Sequence, residues 1–120
     1  MVALWAIHPL QAQDAAHMPE GPAERMEQTQ AYGQALRRAV QQVWTMPATL
    51  ATGESCRVHI RQLPGGEVLD AEVQPDCVFD DAGRRSLQAA VLKASPLPYA
   101  GFEAVFQRNL VLNFVAGERR

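Results

Sequence analysis

Apolar residues recur at three- and four-residue steps after Pro22: Met26, Tyr32, Leu36, Ala39, Val40 and Val43, with Ala35 and Trp44 beside them. Glu24, Arg25, Glu27, Gln28, Arg37, Arg38 and Gln41 fall on the other side. This spacing predicts an amphipathic helix over roughly residues 24–44. Pro22 suits its start, and Pro47 lies past its end. Gly33 is the weak point, because glycine in a helix interior costs about 1 kcal/mol relative to alanine.

The period then changes to two. Cys56, Val58 and Ile60 alternate with Arg57, His59 and Arg61. Leu69, Ala71 and Val73 alternate with Asp70, Glu72 and Gln74. Leu63-Pro64-Gly65-Gly66 lies between, with proline pre-set for the first central turn position and glycine tolerant of positive φ at the next. A β-hairpin follows, each strand with one apolar and one polar face.

After Pro75-Asp76-Cys77-Val78-Phe79, either Asp80 or Asp81 can cap a helix. Leu87, Ala90, Val91 and Ala94 form its stripe, and Ser95-Pro96-Leu97-Pro98 stops it. Phe102–Phe106 suits a short helical turn. Leu110, Leu112 and Phe114 alternate with Asn109, Val111, Asn113 and Val115, which gives a third strand. The order helix-strand-strand-helix-strand predicts an α+β, two-layer domain: a three-stranded antiparallel sheet with helices packed on one face. The expected core is Leu36, Val40, Val43, Val58, Ile60, Leu69, Val73, Leu87, Val91, Leu110, Leu112 and Phe114.

Residues 8–22 hold Pro9, Pro19, Gly21 and Pro22 among polar residues without a period, so 1–22 is expected to be a disordered leader. The domain then spans 23–116, followed by a tail, 117–120. The longest apolar run, Met1–Ile7, is far short of the roughly 20 residues that span a bilayer. Followed by His8-Pro9-Leu10-Gln11-Ala12, it reads as the second half of a secretory signal with cleavage near Ala12. A mis-set start or a cloning remnant is the alternative.

Composition narrows the class. In 120 residues, 48% hydrophobic and 20% charged, the balance is that of a globular chain. Residues 1–53 carry four acids and three bases, and residues 54–120 nine and eight, so no basic face marks a nucleic-acid binder. Catalytic spacing is missing too. Ser55-Cys56 has no histidine at a motif distance, and no Gly-x-Ser-x-Gly occurs. The two cysteines and His59 lack metal-binding spacing. His59, between Arg57 and Arg61, reads as an exposed, inert side chain, and His8 and His17 belong to the leader. Asp80-Asp81 reads as a helix cap, not an acid–base pair. Pro64-Gly65-Gly66 is a turn and not a phosphate loop, because no lysine and helix follow. Trp44 reads as a core or rim anchor. Arg84-Arg85 and Arg119-Arg120 read as solvated charges.

Several stretches share a known pattern. Cys56-Arg-Val-His-Ile-Arg-Gln-Leu-Pro-Gly-Gly-Glu-Val-Leu-Asp70 resembles the first hairpin of the TolA C-terminal domain family, within the TonB/TolA C-terminal superfamily. Ser86-Leu-Gln-Ala-Ala-Val-Leu-Lys-Ala-Ser-Pro-Leu-Pro98 is similar to that family's second helix and its Pro-flanked exit. Phe102-Glu-Ala-Val-Phe-Gln-Arg-Asn-Leu-Val-Leu-Asn-Phe114 is similar to its aromatic turn and last strand, and Trp44 with Pro47 fits the end of its first helix. The resemblance covers about residues 30–116. The TonB domain shares Gly66-Glu-Val and Phe79-Asp80 but usually lacks the cysteines and this ending. The anchor and long stalk of a complete TolA are absent, which suggests an excised terminal domain or a stand-alone exported relative.

The resemblance and the signal-like leader both imply the periplasm of a Gram-negative bacterium, where cysteines oxidise. Cys56 opens strand one and Cys77 lies past strand two, points that a hairpin brings close, so a Cys56–Cys77 disulfide is expected. Family members often place the second cysteine inside the following helix, whereas Cys77 precedes it. The implied function is a protein-binding module of a Tol-Pal-type system, supporting outer-membrane integrity and constriction at division, with no reaction catalysed and no cofactor. The implied partners are the periplasmic Tol propeller protein (TolB-like) and the Pal system, with colicin-like toxins or a filamentous phage tip protein as opportunists. A monomer is expected, with no nucleic acid and no membrane span. A TonB-like module engaging outer-membrane transporters is the alternative, and a small periplasmic enzyme or ligand-binding protein a second.

A three-stranded open sheet leaves two edges with unpaired backbone groups. If strand three pairs with strand one, as the resemblance implies, the edges are Glu67, Val68, Asp70, Glu72 and Gln74 on strand two and Asn109, Val111, Asn113 and Val115 on strand three. Partner binding by strand addition is expected there, unless the leader or the Ala116–Arg120 tail caps both edges.

Overall fold

The computed structural model describes residues 20–117. The expectations for the signal, for residues 1–19 of the leader and for the last three residues lie outside the described residues, whereas residues 20–22, also expected to be disordered, lead into the first helix, with Gly21 as its N-cap and Pro22 its first residue. Helix α1 spans Pro22–Gln42, shifted two residues toward the N-terminus from the range expected. Proline at the first helical position starts it, since its missing N–H would be unpaired there anyway. Tyr32, Leu36 and Val40, four residues apart, face the core. Gly33 does not break the helix. The Arg37 guanidinium lies 3.6 Å from where a Cβ at this position would stand, so the arginine folds back along the helix.

Strands β1 (Ser55–Gln62), β2 (Val68–Val73) and β3 (Asn109–Val115) form one antiparallel sheet in the order β2-β1-β3. Helix α2 (Asp81–Lys93) and a 3-10 turn (Glu103–Val105) complete the order. Asp80 caps α2 by accepting from the Gly83 N–H at 2.8 Å. That bond, and then the Thr49 hydroxyl, holds the Asp80 carboxyl below the usual aspartate value.

The core lies between the helices and the inner sheet face. Its largest fully buried side chains include Phe114, Leu36, Ile60, Leu87, Val40, Val58 and Val91. Trp44 packs against Phe79 and, edge-on, against Phe114, and its indole N–H donates to the Ser86 hydroxyl at 2.9 Å. Val43, Val73 and Leu110 are half-buried at the core's margin.

One expectation fails. Leu69, placed in the core by strict alternation, is 50% exposed. Arg61 pairs with Asp70, but Gln62 pairs with Val68, so Leu69 is an extra residue, a β-bulge on β2. The bulge turns Val68 toward the core and Leu69 outward. Opposite it, Gln62 is the buried polar residue, and its amide donates to the Tyr32 hydroxyl at 2.8 Å and the Gln107 carbonyl at 2.9 Å. Burial pushes the Tyr32 hydroxyl above its ordinary pKa, against the opposing effect of the Gln62 bond.

Two glycines make the hairpin turn, Gly65 and Gly66, both with φ near +100°. Gly66 also accepts from the Leu97 N–H at 2.8 Å, which ties the turn to the chain leaving α2. A Cβ at Gly66 would collide with the Leu97 carbonyl oxygen.

Candidate partner-binding edge

Cys56 and Cys77 form a disulfide, both buried, with Cα atoms 4.1 Å apart. It joins the central strand to the approach to α2. Two backbone bonds flank it, Cys77 N–H to the Gln74 carbonyl and Val78 N–H to the Ser55 carbonyl. His59 is half-buried, 3.2 Å from the Asn109 amide oxygen.

The sheet has β2 and β3 as its edges, and they differ. In an antiparallel ladder, alternate residues point their backbone groups toward the partner strand and away from it. The Gln74 N–H donates to the Arg57 carbonyl at 2.9 Å, which sets the alternation on β2. The backbones of Asp70, Glu72 and Gln74 therefore face β1, and those of Ala71 and Val73 face outward. Helix α2 and the chain after it occupy that outer side. Gln88 donates to the Ala71 carbonyl at 2.7 Å, and Ser95 accepts from the Val68 N–H at 2.9 Å. The Glu67 carbonyl is taken by the Leu63 N–H within the turn.

On β3 the alternation runs the other way relative to the residues named from sequence. Arg108 and Ala116 bond to Gln62 and Glu54 on the β1 side, so even-numbered positions face β1. Asn109, Val111, Asn113 and Val115 point their N–H and C=O groups outward. Among the described residues, no side chain or loop bonds to those groups.

Beside this edge runs a groove of about 360 Å³ between β3 and α1, lined by Gln34, Arg37, Arg38, Gln41, Asn113 and Val115. The four α1 residues share one flank because they are three or four apart, next to the stripe that holds Leu36 and Val40. Read from sequence, Arg37, Arg38 and Gln41 belong to the polar side of the helix. The structure brings them to the free edge. Gln34, Gln88 and Ser95 were not singled out by sequence. The one available signal was that α1 carries no acid after Glu27.

A two-layer α+β domain is thus defined, in which, among the described residues, side chains bond two outward backbone groups of β2 and none of β3. No protein-family profile matches the sequence, and no curated protein matches it. Among solved structures, the chain is similar to TolAIII, in the solution NMR structure of TolAIII bound to a peptide derived from the N-terminus of TolB. The identity is 26% over 72% of this chain and 73% of that one, with a TM-score of 0.57. The fold is TolA-like.

Proposed function

We propose that the chain is a periplasmic protein–protein interaction module of a Tol-Pal-type envelope system, and that a TolB-like partner docks an extended segment as a fourth strand on β3. The observation that carries this reading is the likeness to TolAIII in a structure where that domain holds a TolB-derived peptide. The two edges support the mode of binding. Main-chain hydrogen bonds provide affinity in strand addition, so the receiving edge needs unoccupied outward groups. Asn109, Val111, Asn113 and Val115 offer them, whereas Gln88 and Ser95 already bond to β2. An added strand would extend the sheet beneath the flank of α1. In this reading the chain has no catalytic role and holds no cofactor. Among the described residues, no helix is long and apolar enough to cross a membrane.

Titrating the isotope-labelled chain with a peptide from the N-terminus of a TolB-type protein of the same bacterium tests the reading. Backbone amide shifts should cluster at Asn109–Val115 and on the α1 flank from Gln34 to Gln41. Shifts confined to β2 and α2, or no binding, would overturn it.

A further inference from the structure

The groove beside β3 has a charge character that strand addition alone does not require. From Gly33 to Gln42, α1 carries no carboxylate, and its charged residues there are Arg37 and Arg38. Strand β3 is uncharged from Asn109 to Val115. No acid lines the groove. Three other arginines of the domain are engaged, Arg57 with Asp76, Arg61 with Asp70, and Arg84 with the Cys77 and Phe79 carbonyls, whereas the side chains of Arg25, Arg85 and Arg108 are not paired among the described residues either. The side chains of Arg37 and Arg38 have no ion pair or hydrogen bond among the described residues. A strand laid into the groove removes water from both guanidinium groups, and a charged group stripped of water without a partner is costly. A carboxylate on the incoming strand removes that cost by pairing with them. The other edge carries acids instead, Glu67 just before β2 and Glu72 on it, beside Asp70 in its pair with Arg61.

Resting on the strand-addition reading, we infer that the groove selects an acidic extended peptide, whose Asp or Glu side chain lies at the Asn113–Val115 end of β3 and pairs with Arg37 or Arg38. The same charge pattern repels such a peptide from β2, so charge helps decide which edge is used.

A random peptide library displayed on phage, panned on the intact chain, tests this. Binders should be enriched in Asp or Glu and should shift the Asn113 and Val115 amides. Replacing the enriched acid by its amide, or making the double variant Arg37→Gln, Arg38→Gln, should weaken binding about tenfold at low salt. The loss should shrink as salt rises. Binders that shift β3 without acidic enrichment, or that bind the double variant equally well, overturn the acid selectivity and leave strand addition standing. Panning that yields no binder, or only binders that leave the β3 amides unmoved, brings down both. An unchanged urea midpoint of the double variant shows that its fold is intact.

Discussion

Gln88 of α2 donates its side-chain amide to the backbone carbonyl of Ala71 at 2.7 Å. A side chain of the helix thereby takes up one outward group of the edge strand it packs against. Ser95 does the same for the Val68 N–H from the chain just past that helix. Edge strands with free backbone groups invite pairing with other chains. Among the described residues, no comparable bond falls on the outward groups of β3.

Removing both bonds should therefore expose β2. The double variant Gln88→Ala, Ser95→Ala is expected to lose about 1 kcal/mol per bond in urea denaturation. It should also self-associate more in sedimentation velocity than the parent. An unchanged midpoint together with unchanged sedimentation would show that neither bond protects the edge.

Ile60 and Leu69 should respond oppositely to truncation. Ile60 is fully buried, and Ile60→Ala should cost about 2–5 kcal/mol. Leu69 is the outward bulge residue, and Leu69→Ala should cost under about 1 kcal/mol. Equal losses in chemical denaturation would mean that β2 pairs in a register without the bulge.

Thiol counting under denaturing, non-reducing conditions should find no free cysteine in protein exported to an oxidising compartment. The double variant Cys56→Ala, Cys77→Ala should lose about 3 kcal/mol on the loop-entropy account. Two titratable thiols in exported, unreduced protein would contradict the pairing.

Gly65 and Gly66 share a positive φ but not a neighbourhood. Nothing lies within 4 Å of a Cβ built on Gly65, so Gly65→Ala should cost only the conformational penalty, about 1–2 kcal/mol. At Gly66 the methyl would collide with the Leu97 backbone and disturb the bond to its N–H. Gly66→Ala should cost about 3 kcal/mol or more. Thermal melts of the two variants would separate the effects, and similar values would mean that the Leu97 segment yields freely.

The elements were legible because each has its own period. Tyr32, Leu36 and Val40 mark one helix face, and Val58, Ile60, Leu112 and Phe114 mark one sheet face. The bulge at Leu69 was not, because alternation within β2 says nothing of a slip in its pairing with β1. Gln62 continues the inward period of Cys56, Val58 and Ile60, but a glutamine on that face carries no signal for the Tyr32 and Gln107 partners that admit it. The disulfide and the identity of the edges rested on the resemblance, since spacing alone leaves two cysteines free to be thiols. The Arg37 and Arg38 flank looked like any solvated helix face. Its relation to β3 depends on where α1 lies across the sheet, and that is set by packing between residues far apart in the chain.

The covalent link from Cys56 to Cys77 also bears on how the domain would respond to being pulled. Tension entering through α1 reaches Cys56 at the start of β1 and crosses directly to Cys77, 21 positions further along the chain. The intervening hairpin drops out of the covalent path. A freely extending segment of that length would release roughly 70 Å of slack, and the closed loop withholds it. A partner held on β3 would then be tethered by the β1–β3 ladder, loaded lengthwise, with the rest of the hairpin carrying none of the tension passing along the chain.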